Sequence, residues 1–264
     1  MSDPVRRRAH GDVLELLERR HGFGVRGSGC PAWVSARLDR ALDALAPEGG
    51  GTLDGAVDIL RRDPGRLAEL AEVLRVGETR FYRDPPQWRA LEERVLPSLG
   101  ERVRAVSVGC STGEEAWTLG MVLDRARGKG YRVVGMDRSE VAVESADSGA
   151  YPREDARHLP SDLAERYLEP HADAVRVKAA LRESVSFTVR DAMVGPPPGH
   201  WEIILCKNVL IYFGDEAAER AVQLMLRGLA EGGVLMVAKS EVPRVRALGH
   251  RAEELAPGVT VFRS

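Results

Sequence analysis

The sequence predicts an α/β chain: a mostly parallel sheet, preceded by a small all-helical domain and interrupted once by a small inserted subdomain. Two observations carry this. From about residue 103 onward, short apolar runs alternate with amphipathic stretches of helix length, the rhythm of parallel strands joined by crossover helices. Before residue 77 that rhythm is absent, and apolar residues recur at helical spacing instead.

Taken in order, Val13, Leu14, Leu16 and Leu17 share one helical face, as do Val34, Leu38, Ala41, Leu42 and Leu45. The stretch "APEGGGT" (Ala46–Thr52) reads as a flexible connector. Two shorter helices follow, around Leu53–Arg61 and Pro64–Val76, the second with proline in its first turn. Residues 1–76 therefore read as the helical domain and 77–264 as the α/β domain. In the latter, strands are expected at Val103–Val108, Val133–Asp137, Val185–Val189, Ile203–Cys206 and Val234–Ala238. Helices are expected near Gly113–Arg127, Glu140–Ser148 and Asp215–Leu229. Residues 149–182 break the rhythm with a helix near Leu163–Leu168 and the alternating "AVRVKAAL", and read as the inserted subdomain.

Bulk properties narrow the function. At 264 residues, 44% hydrophobic and 30% charged, the chain suits a globular fold with a substantial core. A net charge of −2 argues against nucleic acid or an anionic membrane as partner. No apolar run approaches a bilayer span, and "MSDPVRRRAH" lacks the apolar stretch of a secretory leader. The three cysteines, Cys30, Cys110 and Cys206, form no CxxC pair, which suits reduced thiols in a cytoplasm and no metal site. No exposed heptad or leftover apolar stripe calls for a dimer, so a monomer is expected.

Three stretches carry the chemistry. In "SVGCSTGEEAWTLG" (Ser107–Gly120) a glycine turn links the first strand to a helix, where open α/β sheets bind ligands. The dinucleotide pattern GxGxxG is absent, and Glu114 and Glu115 at the helix start would repel a phosphate. Asp137 ends the next strand, placed to accept hydrogen bonds from ribose hydroxyls. A nucleoside without phosphates, bearing cationic groups, fits: S-adenosylmethionine, with a sulfonium and an ammonium to face Glu115. The two glutamates equally suit a helix N-terminus through its dipole alone. In "ILCKNVLIYF" (Ile204–Phe213) a strand runs into Lys207-Asn208 and then Tyr212, a residue type more often a half-buried structural tyrosine. In "GETRFYRD", Arg80 and Arg83 flank an aromatic pair at the boundary of the halves, and a guanidinium can hold a carboxylate bidentately.

Together these stretches resemble the chemotaxis-receptor glutamate methyltransferase family, the CheR type. "TRFYRD" is similar to its T-x-F-F-R segment, "GCSTGEE" to its donor loop and "CKNVLIYF" to its C-R-N-V-hydrophobic-I-Y-F segment, with "SGAYP" and "AKSE" as further likenesses. The resemblance implies a Rossmann-like S-adenosylmethionine-dependent methyltransferase sheet that esterifies protein glutamates and releases S-adenosylhomocysteine. It implies donor contacts from Gly77, Thr79, Arg83, Gly109, Glu115, Asp137, Asp191, Ala192, Lys207 and Asn208, with Arg83 and Tyr212 nearest the chemistry. The implied partner is the cytoplasmic helical region of a chemoreceptor-like protein.

Some positions depart from the pattern. Lys207 replaces an arginine, Gly77 a polar amide, Lys239 a histidine, and Ala116-Trp117 a Pro-Tyr pair. In the family a basic N-terminal helix docks on acidic receptor helices. Here "PAWVSARLDRALDAL" offsets Arg37 and Arg40 with Asp39 and Asp43, which reads as a weak electrostatic partner. The inserted subdomain shows no glycine-rich loop, so no tethering to a receptor tail is expected. The weakened helix and Lys207 leave an alternative open, a module that binds the donor or its product for sensing or docking with little turnover.

Overall fold

The computed structural model describes residues 4–24, 32–74 and 79–263, apart from the Trp33 side chain. The chain divides into two compact units: Met1–Val76 with Leu210–Ala218, and Gly77–Val209 with Glu219–Ser264.

The first unit contains α1 (Pro4–His21), α2 (Ala32–Leu45), α3 (Leu53–Arg62) and α4 (Pro64–Val73). Val13 and Leu17 of α1, Val34, Leu38 and Leu42 of α2, and Leu60 and Leu67 beyond them are fully buried together. Local chemistry sets the helix starts. The Thr52 hydroxyl accepts the Gly55 N–H, and the Asp63 carboxylate accepts from Gly65 and Arg66 with Pro64 in the first turn. The returning segment Leu210–Ala218 joins this unit through Phe23. Phe23 forms a β-bridge to Phe213, Gly24 N–H donates to the Tyr212 carbonyl (2.7 Å), and Gly214 N–H donates to Gly22 (3.0 Å). A single cut after residue 76 leaves Leu210–Ala218 with the other half, because pairing between residues so distant in sequence leaves no local pattern.

The second unit opens with α5 (Pro85–Ala90), which continues into a wider turn, Leu91–Val95. It proceeds through β1 (Val103–Val108), α6 (Glu114–Arg127), β2 (Tyr131–Asp137), α7 (Glu140–Ser148), β3 (Ala150–Pro152), α8 (Ser161–Tyr167), β4 (Leu168–His171) and β5 (Ala174–Val177). Then come α9 (Ala179–Arg182), β6 (Val185–Val189), β7 (Trp201–Cys206), α10 (Asp215–Arg227), β8 (Leu229–Val237), α11 (Val242–Ala247), β9 (Ala252–Ala256) and β10 (Val259–Arg263); α10 begins in the other unit.

The main sheet runs β6-β2-β1-β7-β8-β10-β9. Five neighbours, β6 to β8, pair in parallel, and β10 runs antiparallel to both β8 and β9. β1 and β7 lie at the centre and are buried along nearly their whole length, as parallel strands covered on both faces must be. The α/β fold class is therefore correct. Residues 150–177 make a second sheet, β3-β5-β4, all antiparallel.

Two features go unforeseen. The β9–β10 hairpin turns at Pro257-Gly258, with Gly258 at φ 75°. A Pro-Gly pair between apolar-containing runs is a turn signal with a mechanism, because proline presets the first turn residue and glycine takes the left-handed second. The short helix after "TRFYRD" was hidden by its two prolines, which occupy its first turn, where proline costs nothing.

Candidate active site

β1 and β2 end side by side, and the site is built where they end. Val108 pairs with Met136, so the turn after β1 and Asp137 after β2 emerge next to each other. The N–H groups of Gly109 and Cys110 both donate to the Met136 carbonyl, at 2.8 and 3.0 Å. The Asp137 carboxylate then closes the loop: one oxygen accepts from Ser111 N–H (2.9 Å), the other from Ser139 N–H (3.0 Å). Each carboxylate oxygen retains capacity for a second hydrogen bond, so Asp137 can order the loop and still accept from ribose hydroxyls.

Neighbouring protein atoms by themselves require the glycines of the loop. Gly109 has φ 71°, and a side chain there would run into Val209 at 2.4 Å. Gly113 has φ 97°, and its missing Cβ would lie 2.7 Å from the Ala146 side chain. Backbone strain gathers around the same place. Among the described residues, five besides glycine have positive φ, and four of them, Tyr82, Asp84, Ser111 and Asn208, fall in the three stretches singled out by sequence. Such conformations cost about 1–3 kcal/mol each and persist where neighbours over-determine them.

The two glutamates have different roles. Glu114 turns inward, 3% exposed, and takes hydrogen bonds from the hydroxyls of Thr112 (2.8 Å) and Thr79. Burial pushes its carboxyl above the ordinary range, with the two hydroxyls pulling it back. It ties the Thr79 stretch to the loop after β1. Glu115 accepts from the Ser107 hydroxyl (2.9 Å) on one oxygen and from the Lys207 ammonium (3.0 Å) on the other. Lys207, with its side chain 2% exposed, also lies over the Trp88 ring, 4.7 Å from the centroid. Glu115 is thus already paired with a cation, whereas the Asp137 carboxylate is held by backbone N–H groups.

Asn208 follows Lys207 at φ 60°, and its Oδ1 is buried with no hydrogen-bond partner among the described residues. On the other side of β2, Asp191 and Ala192 follow β6, where the Asp191 carboxylate accepts Met193 N–H (2.9 Å). The thiols of Cys110 and Cys206 are buried, which pushes both well up, so they stay protonated and unreactive. No cluster of metal-binding side chains occurs among the described residues.

A cavity of about 470 Å³ adjoins this frame, lined by Thr79, Arg80, Arg83, Glu154, Asp155, Arg157 and His158. Its mixed charge can orient an anion without trapping it. Burial and the neighbouring Glu154 hold the Asp155 carboxyl above its usual range.

Of the sequence-derived site, the structure brings together Thr79, Gly109, Glu115, Asp137, Lys207 and Asn208 around the ends of the central strands, with Asp191 and Ala192 one strand further out and Arg83 on the cavity wall. Tyr212 belongs to the other unit, half-buried with its ring stacked on Phe23 at 6.2 Å. Gly77 lies outside the described residues. Sequence reading missed Tyr151, whose hydroxyl donates to the Thr112 carbonyl (2.6 Å) and whose ring meets Phe81 edge-on. It also missed Gln87, buried and donating to Val237 (3.0 Å), and Glu241. Tyr151 and Glu241 sit in "SGAYP" and "AKSE", so the signal existed without a role attached.

Comparison with known proteins agrees with this architecture. The family model "CheR methyltransferase, SAM binding domain" matches residues 77–250. Chemotaxis protein methyltransferase 1 of Pseudomonas aeruginosa is 28% identical over 94% of the chain and 95% of its own length. The probable biofilm formation methyltransferase WspC of Pseudomonas putida is 30% identical over 95% of the chain, which spans 60% of that protein. A 104.1 kDa protein of Rhodobacter capsulatus is 29% identical over 80% of the chain, which spans 23% of its length. Because that family model matches well over half of the chain, the chain belongs to the CheR methyltransferase family.

Proposed function

We propose that the chain transfers a methyl group from S-adenosylmethionine to glutamate side chains of a protein, giving methyl esters. The observation that supports this most directly is the pairing of two neighbouring features: a glycine loop with the Asp137 carboxylate at its edge, and a cavity with Arg80 and Arg83 on its wall. The loop suits a nucleoside without phosphates, and the buried, unpartnered Oδ1 of Asn208 suits a hydrogen-bond donor on it.

On this reading Asp137 accepts from ribose hydroxyls, Asn208 from a polar group of the donor, and Thr79, Glu115, Asp191, Ala192 and Lys207 shape the remaining walls. Bound S-adenosylmethionine supplies an already activated methyl group. A glutamate carboxylate, with pKa about 4.3, is already ionised at neutral pH. No general base is needed, and the protein's work is to desolvate the carboxylate and aim it. Arg83 orients it. Glu154 and Asp155, which line the same cavity, moderate the guanidinium field, which matters because the carboxylate's charge is consumed in the transition state. A role for Tyr212 as hydrogen-bond donor to the acceptor rests on the family resemblance alone.

The first unit supports a helical, acidic partner. Asp39 and Asp43 of α2 do not offset Arg37 and Arg40, because both carboxylates turn to Arg6 of α1, at 3.1 and 2.8 Å. Arg37 and Arg40 instead border a groove of about 980 Å³ with Arg66, floored by Leu45, Leu60 and Leu70. Asp63 and Glu69 line the same groove and Arg66 pairs with Glu48 (2.8 Å), so the cationic side that suits an amphipathic acidic helix, such as a receptor's cytoplasmic region presents, is that of Arg37 and Arg40. Residues 77–264, less the returning segment, would be the catalytic domain.

The test is to incubate the chain with methyl-labelled S-adenosylmethionine and a receptor cytoplasmic fragment, then release label with alkali. Methanol in the alkali-labile fraction, lost in Arg83→Ala, is the expected result. Label that is alkali-stable, or none while S-adenosylhomocysteine binds in a calorimeter, would refute ester formation.

A further inference from the structure

The resemblance of "AKSE" to a family segment assigns no task to its glutamate, yet Glu241 is among the most deeply buried acids, 1% exposed. One of its oxygens, Oε2, accepts two backbone N–H groups: Ala238 at 3.0 Å and Asn208 at 2.9 Å. The first closes a local turn, since Glu241 N–H returns a bond to the Ala238 carbonyl at 2.8 Å. The second does not. It reaches across to the chain just after β7, where Cys206 is the register partner of Val237. One carboxylate therefore clamps the carboxyl ends of two adjacent parallel strands. The end of β8 is held from its other side too, by the Gln87 amide on the Val237 carbonyl.

The residue so clamped is the unusual one. Asn208 holds φ 60°, a conformation that a non-glycine residue adopts only when something enforces it, and its buried Oδ1 has no partner among the described residues. A charge-assisted bond from its N–H to a buried carboxylate is an enforcing contact of the right strength. An unsatisfied buried acceptor is what a binding site for an N–H or O–H group looks like before that group arrives.

We propose that Glu241 is a positioning residue of the donor site: by accepting the Asn208 N–H, it keeps Asn208 in the left-handed conformation that leaves its amide oxygen ready for a polar hydrogen of the methyl donor. This rests on the assignment of Asn208 to the donor site made above, and adds the group that makes Asn208 competent. Glu241 touches no ligand itself. Its effect passes through Asn208, and that route is testable because two residues acting through one contact are not additive.

The experiment is a double-mutant cycle on S-adenosylhomocysteine affinity, by titration calorimetry on the full chain. The members are wild type, Glu241→Gln, Asn208→Ala and the double variant, each checked by thermal melting. Glutamine keeps the shape and one acceptor oxygen but removes the charge. The expected result is about tenfold weaker binding for each single variant, and a double variant no weaker than Asn208→Ala. Wild-type affinity in Glu241→Gln beside weakened binding in Asn208→Ala overturns the inference and leaves the donor reading of Asn208 standing. Additive losses, about a hundredfold in the double variant, overturn it as well, because Glu241 would then act by another route. Wild-type affinity in Asn208→Ala removes the donor reading of Asn208 and this inference with it. Should Glu241→Gln not fold, Glu241→Asp takes its place in the same cycle: it keeps the charge and withdraws it by one methylene, and the same outcomes apply.

Discussion

Lys207 and Glu115 form a pair whose worth lies in completeness. With Lys207 buried and Glu115 bonded on both oxygens, deletion of either partner leaves a charge out of water. Lys207→Met is therefore expected to cost about 3–5 kcal/mol in urea unfolding, and adding Glu115→Gln to it should recover part of that loss. The lysine in place of the family's arginine is thus accounted for locally, as a point charge seated between a carboxylate and the Trp88 face. Glu114 makes a different prediction. Its carboxyl is raised by burial, so the folded chain holds that proton more tightly than the unfolded chain. Its contribution to stability is fully present below the ordinary glutamate range and is lost as pH rises through the raised value. Urea midpoints across that window should fall less steeply with pH in Glu114→Gln than in wild type.

At the level of elements, the donor loop is held by neighbours that sequence keeps apart. The Tyr151 hydroxyl, from β3, supports the Thr112 carbonyl, while Trp117 of α6 donates to Ala146 of α7 at 3.1 Å. Tyr151→Phe removes the first bond and keeps the ring against Phe81. It should cost about 1–3 kcal/mol, the range for leaving a buried carbonyl unpaired, and weaken S-adenosylhomocysteine binding several-fold by calorimetry. The loop itself was legible, because glycines, hydroxyls and a strand-end acid at that spacing have few other uses. Its supports were not. A tyrosine in "SGAYP" looks the same whether it faces solvent or a carbonyl, and only the packing of β3 distinguishes the two.

For the whole molecule, charge acts by helix face as well as by its sum. Along α2, Asp39 and Asp43 are one turn apart and turn to α1, whereas Arg37 and Arg40 border the groove. Arg37→Glu with Arg40→Glu should slow methylation of a receptor fragment several-fold at low salt. The effect should shrink in 0.5 M salt as the Debye length falls to a few ångströms, while S-adenosylhomocysteine affinity stays at the wild-type value. Equal slowing at both salt concentrations would remove electrostatic docking from the account. Among the described residues no helix is long and apolar enough to cross a membrane.

By itself, the sequence determined the alternation of strand and helix, the position of the loop after β1, the acid after β2 and the membership of the family. All of these depend on the order and spacing of residues along one stretch of chain. Tertiary structure alone decided that Lys207 neutralises Glu115, that Val209 fills the space at Gly109, that Phe23 captures the segment bearing Tyr212, and that Glu241 clamps Asn208. Each of these joins residues far apart in sequence, and a buried charge or an empty Cβ position has no signature until the chain that satisfies it has folded back.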